Sequence, residues 1–393
     1  MALMLPNPYA PGSRPAYLAG RSYERDLVDQ GLGRIRHLGR SAGPLLAFHG
    51  PRGLGKTSLL RQAQQDADDV GFLTAWVTGR SDLTMVEAVS SSLSRSVQHR
   101  SLGERATGLL HRLDKVQVEF GIPGAAKVTA DVHGPGVDDD NEPRSGRVLS
   151  EVLEDGAQFA HHHDHHGLVL FVDEFQEARL NDRKSLLIAL QEFDGTPPSP
   201  VAIVAAGLPS IHAAVTEAAT FGERTRFVEV GGLNDVAVAE ALQHPAGDLD
   251  VRWEPDALLE AIALAQGYPH KVQLLGQETW NTARPEAGAS IGVGHVRLGA
   301  EAAETRMRDL FETRWSRATA EQRRIMTAIA ADGGDSATRA EIASRLGVES
   351  TALSRPREEL IDRGLVEPHG HGRLRFTIPG FGDFVRTRKD LAD

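Results

Sequence analysis

The sequence contains no cysteine, and aromatic residues make up only 5% of its 393 residues. Without cysteine there is no disulfide, no thiolate metal site and no cysteine nucleophile. No apolar run approaches the roughly 18 residues of a membrane-spanning helix. The N-terminus is broken too early by proline to resemble a signal peptide. These absences predict a cytoplasmic, globular protein with no membrane partner.

Basic charge is also scarce, because 54 acidic residues outnumber 43 basic ones and give a net charge of −11. A chain with this balance repels nucleic acid at long range, so any DNA contact needs a local basic patch. The composition, 40% apolar and 25% charged, is ordinary for a globular protein. The length predicts two or three domains with a sizeable core.

One glycine-rich segment carries the most specific signal. Residues 50–57 read Gly-Pro-Arg-Gly-Leu-Gly-Lys-Thr and fit the phosphate-loop pattern G-x-x-x-x-G-K-[ST] at every fixed position. The apolar stretch 45–49 before it is typical of a buried strand, and residues 58–63 after it favour a helix. Glycines let successive N–H groups face phosphate oxygens, and the helix N-terminus adds partial positive charge. The segment therefore predicts a nucleoside triphosphate site.

The sequence also suggests a role for each residue of this site. The predicted nucleotide ligands in the loop are Gly50, Pro51, Arg52, Gly53, Leu54, Gly55, Lys56, Thr57 and Ser58. Lys56 is expected to reach the β- and γ-phosphates, and the Thr57 hydroxyl to ligate Mg²⁺.

Two acids after the buried strand 168–172 form the second catalytic element. Asp173 is the expected Mg²⁺ ligand, and Glu174 the carboxylate that orients or deprotonates the attacking water. The alternative is that both acids belong to a solvated turn. Gln176 and Glu177 could assist these acids, the favoured alternative being that they are ordinary polar residues on a helix face.

Basic residues at two further places are candidates for the site. Arg224, with Arg226 as the fallback, precedes the last core strand and could serve as an arginine finger towards a neighbouring subunit. The alternative for Arg224 is a surface ion pair with Glu223. His270 or Lys271 could sense nucleotide from the start of a lid helix, the alternative being a helix start with surface charges.

The pattern of elements divides the chain into an extended arm, an α/β core with a flexible insert, an all-helical lid, a linker helix and a C-terminal domain. In that order the ranges are 1–16, 17–231 (insert 121–147), 232–295, 296–316 and 317–393. Strands that alternate with helices indicate a parallel three-layer sandwich for the core.

The C-terminal domain shows the order of a winged helix-turn-helix. Capping boxes at Thr319 and Thr338 open two helices, and a third helix and a hairpin follow. The predicted DNA contacts are Arg355, Arg357, Arg373 and Arg375. The domain holds roughly 13 basic and 12 acidic residues, so its net charge gives only a weak attraction to the phosphates of DNA. Double-stranded DNA and protein, either a docking partner or a second copy, therefore stay open as partners.

The chain resembles AAA+ ATPases of the origin-recognition-initiator and archaeal-ATPase-like group, with a C-terminal winged helix. Besides residues 50–57 and 172–174, the resemblance rests on segments 20–21, 206–209, 223–224 and 267–269. It implies the P-loop NTPase fold with strand order 5-1-4-3-2, ATP with Mg²⁺ as cofactors, and action as an assembly or a switch. It also implies that Gly20, Arg21 and His270 border the nucleotide.

Two departures from the family pattern predict slow hydrolysis. The strand 201–207 lacks a terminal Asn, Ser or Thr, and His270-Lys271 stands where a sensor arginine is common. The leading hypothesis is an Mg²⁺-dependent ATPase whose nucleotide state moves the lid and the winged helix, possibly on DNA. One alternative is an ATP-gated signalling or defence switch whose winged helix binds protein, with slow or no hydrolysis. Another is a non-hydrolysing ATP-binding scaffold.

Overall fold

A computed structural model describes residues 5–99, 107–119, 142–195, 199–370 and 372–388. The chain divides into two compact units. The sheet unit comprises Ser22–His49 and Leu59–Glu229, and the lid unit comprises Met1–Arg21, Gly50–Ser58 and Val230–Asp393. Most of the predicted insert, residues 121–141, lies outside the described residues. None of the described helices combines the length and apolarity needed to cross a membrane.

A five-stranded parallel sheet forms the centre of the sheet unit. Its strands are β1 (Leu46–His49), β2 (Leu73–Thr78), β3 (Leu168–Asp173), β4 (Val201–Gly207) and β5 (Arg226–Glu229). They lie in the order β2-β3-β4-β1-β5, so the order implied by the resemblance is confirmed. Every residue of β3 and β4 is buried, because strands in the middle of a parallel sheet are covered on both faces.

The strand register brings several carboxyl ends to one edge of the sheet. His49 of β1 lies level with Gly207 of β4, and Val172 of β3 lies level with Ala205 of β4. Asp173, the last residue of β3, therefore lies at the edge where β1 and β4 also end. Open α/β sheets bind their ligands at this edge.

The helices along the first 229 residues carry the apolar faces that pack on this sheet. They are α1 (Ser22–Leu38), α2 (Lys56–Asp69), α3 (Met85–His99), α4 (Thr107–Glu119), α5 (Glu142–His162), α6 (Leu180–Glu192) and α7 (Ile211–Ala218). Leu93 of α3 and Leu153 of α5 are fully buried with Leu170 of β3 in one core. The structure differs from the sequence prediction at α5, which includes residues 142–147. The Glu142-Pro143 pair suits the first turn of a helix.

The lid is helical, as predicted, with helices α8 (Asp235–Gly247), α9 (Pro255–Ala265) and α10 (Pro269–Ala283), and α11 (Val293–Ser316) follows. The side chain of Asn234 caps α8 by accepting from the Ala237 amide at 2.9 Å. The structure adds a short parallel pair of strands, β6 (Arg252–Trp253) and β7 (Ser290–Ile291), that the sequence pattern did not reveal.

The C-terminal region contains α12 (Ala320–Ala330), β8 (Ser336–Thr338), α13 (Arg339–Leu346), α14 (Ser354–Asp362), β9 (Val366–His369), β10 (Arg373–Phe376) and α15 (Phe381–Arg386). Its strands form an antiparallel sheet in the order β8-β10-β9. Both predicted capping boxes are present, at Thr319 and Thr338. This arrangement fits a winged helix, with β8 and α15 as elements that the sequence analysis missed.

The described part of the predicted N-terminal arm, residues 5–16, has no helix or strand, but it is anchored to the lid. Tyr9 is 2% exposed, and its hydroxyl donates to the carbonyl oxygen of Leu242 and accepts from the Trp253 indole at 3.0 Å. A Cβ at Gly276 of α10 would lie 2.7 Å from the Tyr9 ring, so the ring fills the space that a side chain there would need. The arm therefore contributes to the core of the lid unit.

Candidate nucleotide-binding site

The lysine of the predicted phosphate loop is buried and hydrogen-bonded to carbonyl groups of the same loop. Lys56 is 7% exposed, and its Nζ donates to the carbonyl oxygens of Gly50 and Pro51, each at 2.7 Å. Gly53 and Gly55 have φ of 86° and 85°, a region that side chains with a Cβ rarely adopt. Helix α2 begins at Lys56, so the N–H groups of its first turn adjoin the loop.

Tyr268 of the lid packs directly on this loop, which the sequence did not predict. Its side chain is 2% exposed, and its hydroxyl donates to the carbonyl oxygen of Arg52 at 3.2 Å. A Cβ added at Gly53 would lie 2.6 Å from Tyr268 Cζ, and closer still to the hydroxyl oxygen. Glycine at 53 is therefore required both by its φ and by the tyrosine above it. Burial raises the pKa of Tyr268, so the hydroxyl keeps its proton.

The Gly20-Arg21 pair ties the N-terminal segment to the loop and to the start of the lid. Arg21 is 5% exposed, and its guanidinium donates to the carbonyl oxygens of Leu54, at 3.0 Å, and Gly231, at 2.7 Å. Gly20 has φ of 64°, and a Cβ there would lie 2.5 Å from Cβ of Ala237. These contacts hold the Gly20-Arg21 segment against both the loop and the start of the lid.

His270 and Lys271 occupy the first turn of α10 and are both half-buried. Burial lowers the pKa of His270, and the positive charges of Arg314 and Arg306 lower it further. Burial also lowers the pKa of Lys271, against the opposing influence of Glu304. His270 is therefore held towards its neutral form.

In the sheet unit, the two acids after β3 are held in a defined geometry. Asp173 is 6% exposed, and its Oδ1 accepts from the Glu174 amide at 3.1 Å. Glu174 has φ of 49°, which turns the chain sharply after the strand. The side-chain amide of Gln176 donates to Glu174 Oε2 at 2.6 Å.

Of the two interpretations of Gln176, the one that makes it an ordinary helix-face residue is wrong. Gln176 lies in a short 3-10 turn, Phe175–Glu177, and its Oε1 accepts from the Leu208 amide at 3.1 Å. It therefore bridges Glu174 to the end of β4, where a Cβ on Gly207 would collide with the same oxygen. The glycine that ends β4 was the available signal, since close approach of a neighbour is one reason for glycine there.

The predicted finger residue lies on the surface of the sheet unit. Arg224 ends a 3-10 helix, Thr220–Arg224, and is exposed, and Arg226 begins β5 and is also exposed. Within the described residues, Arg224 forms no ion pair with Glu223. The guanidinium is accessible to another molecule.

The predicted DNA-binding arginines mostly face carboxylates of their own domain. Arg355 pairs with Glu359 at 3.0 Å, and Arg375 pairs with Glu367. Arg373 donates to the Ser336 carbonyl at 3.3 Å and lies 3.9 Å from Glu341. Arg357 is half-buried on α14.

Helix α14 also carries a cluster of acids beside these arginines. Burial raises the pKa of Asp362, and the negative charges of Glu358 and Glu359 raise it further. Helix α14 therefore carries two basic and three acidic side chains.

Comparison with known proteins agrees with the fold and the loop. Residues 17–204 match the family model of the AAA ATPase domain, and residues 308–385 match a domain of unknown function (DUF8462). No curated protein sequence matches the chain.

Three solved structures are similar to the chain at low sequence identity. The Walker-type ATPase of Pyrococcus abyssi is 16% identical, with a TM-score of 0.61 over 96% of this chain and 98% of that one. Cdc6p of Pyrobaculum aerophilum is 14% identical, with a TM-score of 0.48 over 96% and 95% of the two chains. The Thermotoga maritima RuvB Holliday junction branch migration motor is 16% identical, with a TM-score of 0.46 over 95% and 98%. The match of residues 17–204 to the AAA ATPase domain model and the likeness to the P. abyssi structure show that the chain has the P-loop AAA+ fold, in agreement with a loop that surrounds Lys56.

Proposed function

We propose that the protein binds ATP with Mg²⁺ at the loop Gly50–Thr57, hydrolyses it, and uses the nucleotide state to reposition the lid and the C-terminal domain. The observation that carries this proposal is the contact between Tyr268 and the Arg52–Gly53 segment. A lid residue that rests on the phosphate loop will experience any change that bound phosphate imposes on that loop.

The residues of the loop supply the binding chemistry. Its N–H groups and the first turn of α2 would accept the phosphate oxygens. Lys56 would exchange its bonds to two loop carbonyls for charge-assisted bonds to phosphate, which are roughly twice as strong. Arg21, His270 and the Gly20 turn would border the rest of the nucleotide.

Thr57 and Asp173 are the proposed magnesium ligands, because each supplies an oxygen donor. Mg²⁺ prefers oxygen ligands and is usually held by one or two protein groups together with phosphates and water. A carboxylate that is 6% exposed at the ligand-binding edge of the sheet has the character of such a ligand. When bound, the ion would neutralise charge on the transferring phosphate.

Glu174 is the proposed group that orients or deprotonates the attacking water. Its bond to Gln176 fixes the carboxylate and links it to the end of β4. The family position at the end of β4 lacks a polar side chain in this chain, and the Gln176 amide brings one to the same place. This favours genuine hydrolysis over a non-hydrolysing scaffold. Arg224 is proposed as a finger that completes the site of a neighbouring copy.

ATP turnover in two variants and one control tests this proposal. Lys56→Ala should abolish ATP binding. Glu174→Gln should retain binding and lower turnover by about a hundredfold or more, the usual effect of removing a general base. Glu177→Gln is the matched control, because Glu177 is exposed and only three residues away. Equal turnover in Glu174→Gln and wild type would remove Glu174 from the mechanism, and turnover unaffected by Lys56→Ala would refute the site.

A second candidate function is an ATP-gated switch whose C-terminal domain binds protein. The observation that favours it is the pairing of Arg355 and Arg375 with carboxylates, beside the acids of α14. Binding to duplex DNA across a salt series separates the two functions. A DNA-binding domain should lose affinity steeply with salt, by a slope of about 0.9 per phosphate contacted. Absence of binding at low salt would favour the protein partner.

A further inference from the structure

The residue that follows β2 lies against the backbone of both acids of the candidate site. Gly79 is buried, and its amide donates to the carbonyl oxygen of Asp173 at 2.7 Å. This bond continues the pairing of β2 with β3, since Thr78 is the register partner of Asp173. A Cβ added at Gly79 would lie 2.3 Å from the carbonyl oxygen of Glu174 and 3.1 Å from the Ala178 amide nitrogen. The space that a side chain at position 79 would need is therefore occupied by the turn that carries Glu174.

Backbone conformation does not explain the glycine at position 79. The φ of Gly79 lies outside the left-handed region that favours glycine, unlike those of Gly53 and Gly55 in the phosphate loop. The positive φ is found instead at Glu174, which has φ of 49° and ψ of 45°. Residues other than glycine rarely hold this conformation unless their surroundings impose it, and such residues cluster at functional sites. The requirement for glycine at 79 thus comes from the close approach of the Glu174 carbonyl.

Glu174 is held from the two strands that flank β3 in the sheet. On the side of β4, the Gln176 side chain donates to the Glu174 carboxylate. On the side of β2, Gly79 packs against the Glu174 carbonyl oxygen. The segment after Gly79 is tied to the same turn, because Arg179 Nε donates to the Ser81 carbonyl at 2.7 Å. The backbone position limits where the carboxylate can reach, so the contact with Gly79 helps to set the geometry of the proposed base.

A purely structural role is the simplest other explanation, in which Gly79 only allows β2 to end close to β3. Gly167 provides a comparison, because it immediately precedes β3 and a Cβ there would lie 2.3 Å from the Pro200 carbonyl oxygen. The same overlap with a backbone carbonyl thus occurs near both ends of β3, but Gly167 contacts neither acid in this way. Alanine at each position separates an effect on stability from an effect on turnover.

We propose that Gly79 is a positioning residue for ATP hydrolysis, which holds Glu174 in its left-handed turn so that the carboxylate faces the attacking water. This inference rests on the proposed function, since it requires Glu174 to act on that water. The atoms of Gly79 take no part in the chemistry, and Gly79 acts through the backbone of Glu174.

Steady-state ATP turnover in Gly79→Ala, together with titration calorimetry of AMP-PNP and Mg²⁺, tests this role. The Glu174 carbonyl must move about 1 Å to reach ordinary contact with the new Cβ, and a displacement of that size can cost about a hundredfold in rate. The kcat should therefore fall by about tenfold to a hundredfold, while the affinity for AMP-PNP stays at the wild-type value. Gly167→Ala is the matched control, and it should keep the wild-type kcat even where its Tm falls.

A double-mutant cycle with Glu174→Gln distinguishes positioning from a general loss of structure. Gly79→Ala should have little further effect on turnover in the Glu174→Gln background, because residues that act as a unit are not additive. Wild-type kcat in Gly79→Ala, the same fold reduction in both backgrounds, or an equal fall in Gly167→Ala would each overturn the inference and leave the proposed function intact. Wild-type turnover in Glu174→Gln would instead refute the proposed function.

Arg179→Met provides the test if Gly79→Ala does not fold. This variant keeps a long side chain but removes the bond to the Ser81 carbonyl, which ties the segment after Gly79 to the turn. A lower kcat at unchanged affinity for AMP-PNP, with no further loss in the Glu174→Gln background, would support positioning from the β2 side. An unchanged kcat would overturn it.

Discussion

Replacing Gly53 by alanine should destabilise the lid unit through two separable effects. The first is backbone strain, because φ of 86° costs a residue with a Cβ about 1–2 kcal/mol. The second is overlap, because the new Cβ would lie 2.6 Å from Cζ of Tyr268. Tyr268 is 2% exposed and cannot move aside freely, so overpacking adds about 1–3 kcal/mol. The expected loss in free energy of unfolding is about 2–5 kcal/mol.

A double-mutant cycle with Tyr268→Ala isolates the overlap. In the Tyr268→Ala background, Gly53→Ala should cost only the strain, so the two substitutions should couple by about 1–3 kcal/mol. Gly347→Ala provides the control for strain alone, because Gly347 has φ of 66° with nothing within 4 Å of an added Cβ. Urea unfolding followed by tryptophan fluorescence gives the free energies. Equal costs for Gly53→Ala in both backgrounds, or a cost no greater than that of Gly347→Ala, would refute the packing argument.

Three further predictions concern single side chains. Gln176→Ala should lower ATP turnover about tenfold to a hundredfold at unchanged ATP affinity, because Glu174 loses its orienting bond; a weakened affinity with normal turnover would contradict it. Tyr9→Phe should lower the free energy of unfolding by about 1–3 kcal/mol, because the Trp253 N–H and the Leu242 carbonyl lose their buried partner; thermal unfolding measures it. The free energy of unfolding should fall as pH drops through about 6.5, because burial lowers the pKa of His270 in the folded chain and the unfolded chain then binds the proton more readily. His270→Gln should remove that part of the pH dependence.

The sequence predicted best the features that depend on neighbouring residues. The loop pattern, the capping boxes at Thr319 and Thr338, and the apolar run of β3 each lie within a few residues of chain. The strand order came from a family resemblance, since local pattern does not specify which strands pair.

The features that the sequence did not reveal depend on residues far apart in the chain. Tyr268 meets Arg52 across 216 residues, and Gln176 meets Leu208 across 32. β8 is only three residues long, too short for a period to appear, and is defined by its pairing with β10. The sequence analysis placed Tyr9 in an extended arm because its neighbours include prolines and glycines. Those residues indicate the backbone conformation, but they do not indicate whether the tyrosine ring is buried.

The packing of Tyr9 on Gly276 also constrains how this sequence can diverge. Glycine inside a helix costs about 1 kcal/mol relative to alanine, so α10 is weakened where it admits the ring. A relative with a smaller residue at position 9 is free to recover that stability with alanine or serine at 276. Substitutions at the two positions, which are 267 residues apart in sequence, should therefore appear together, and covariation between them would mark the relatives in which the N-terminal segment belongs to the lid.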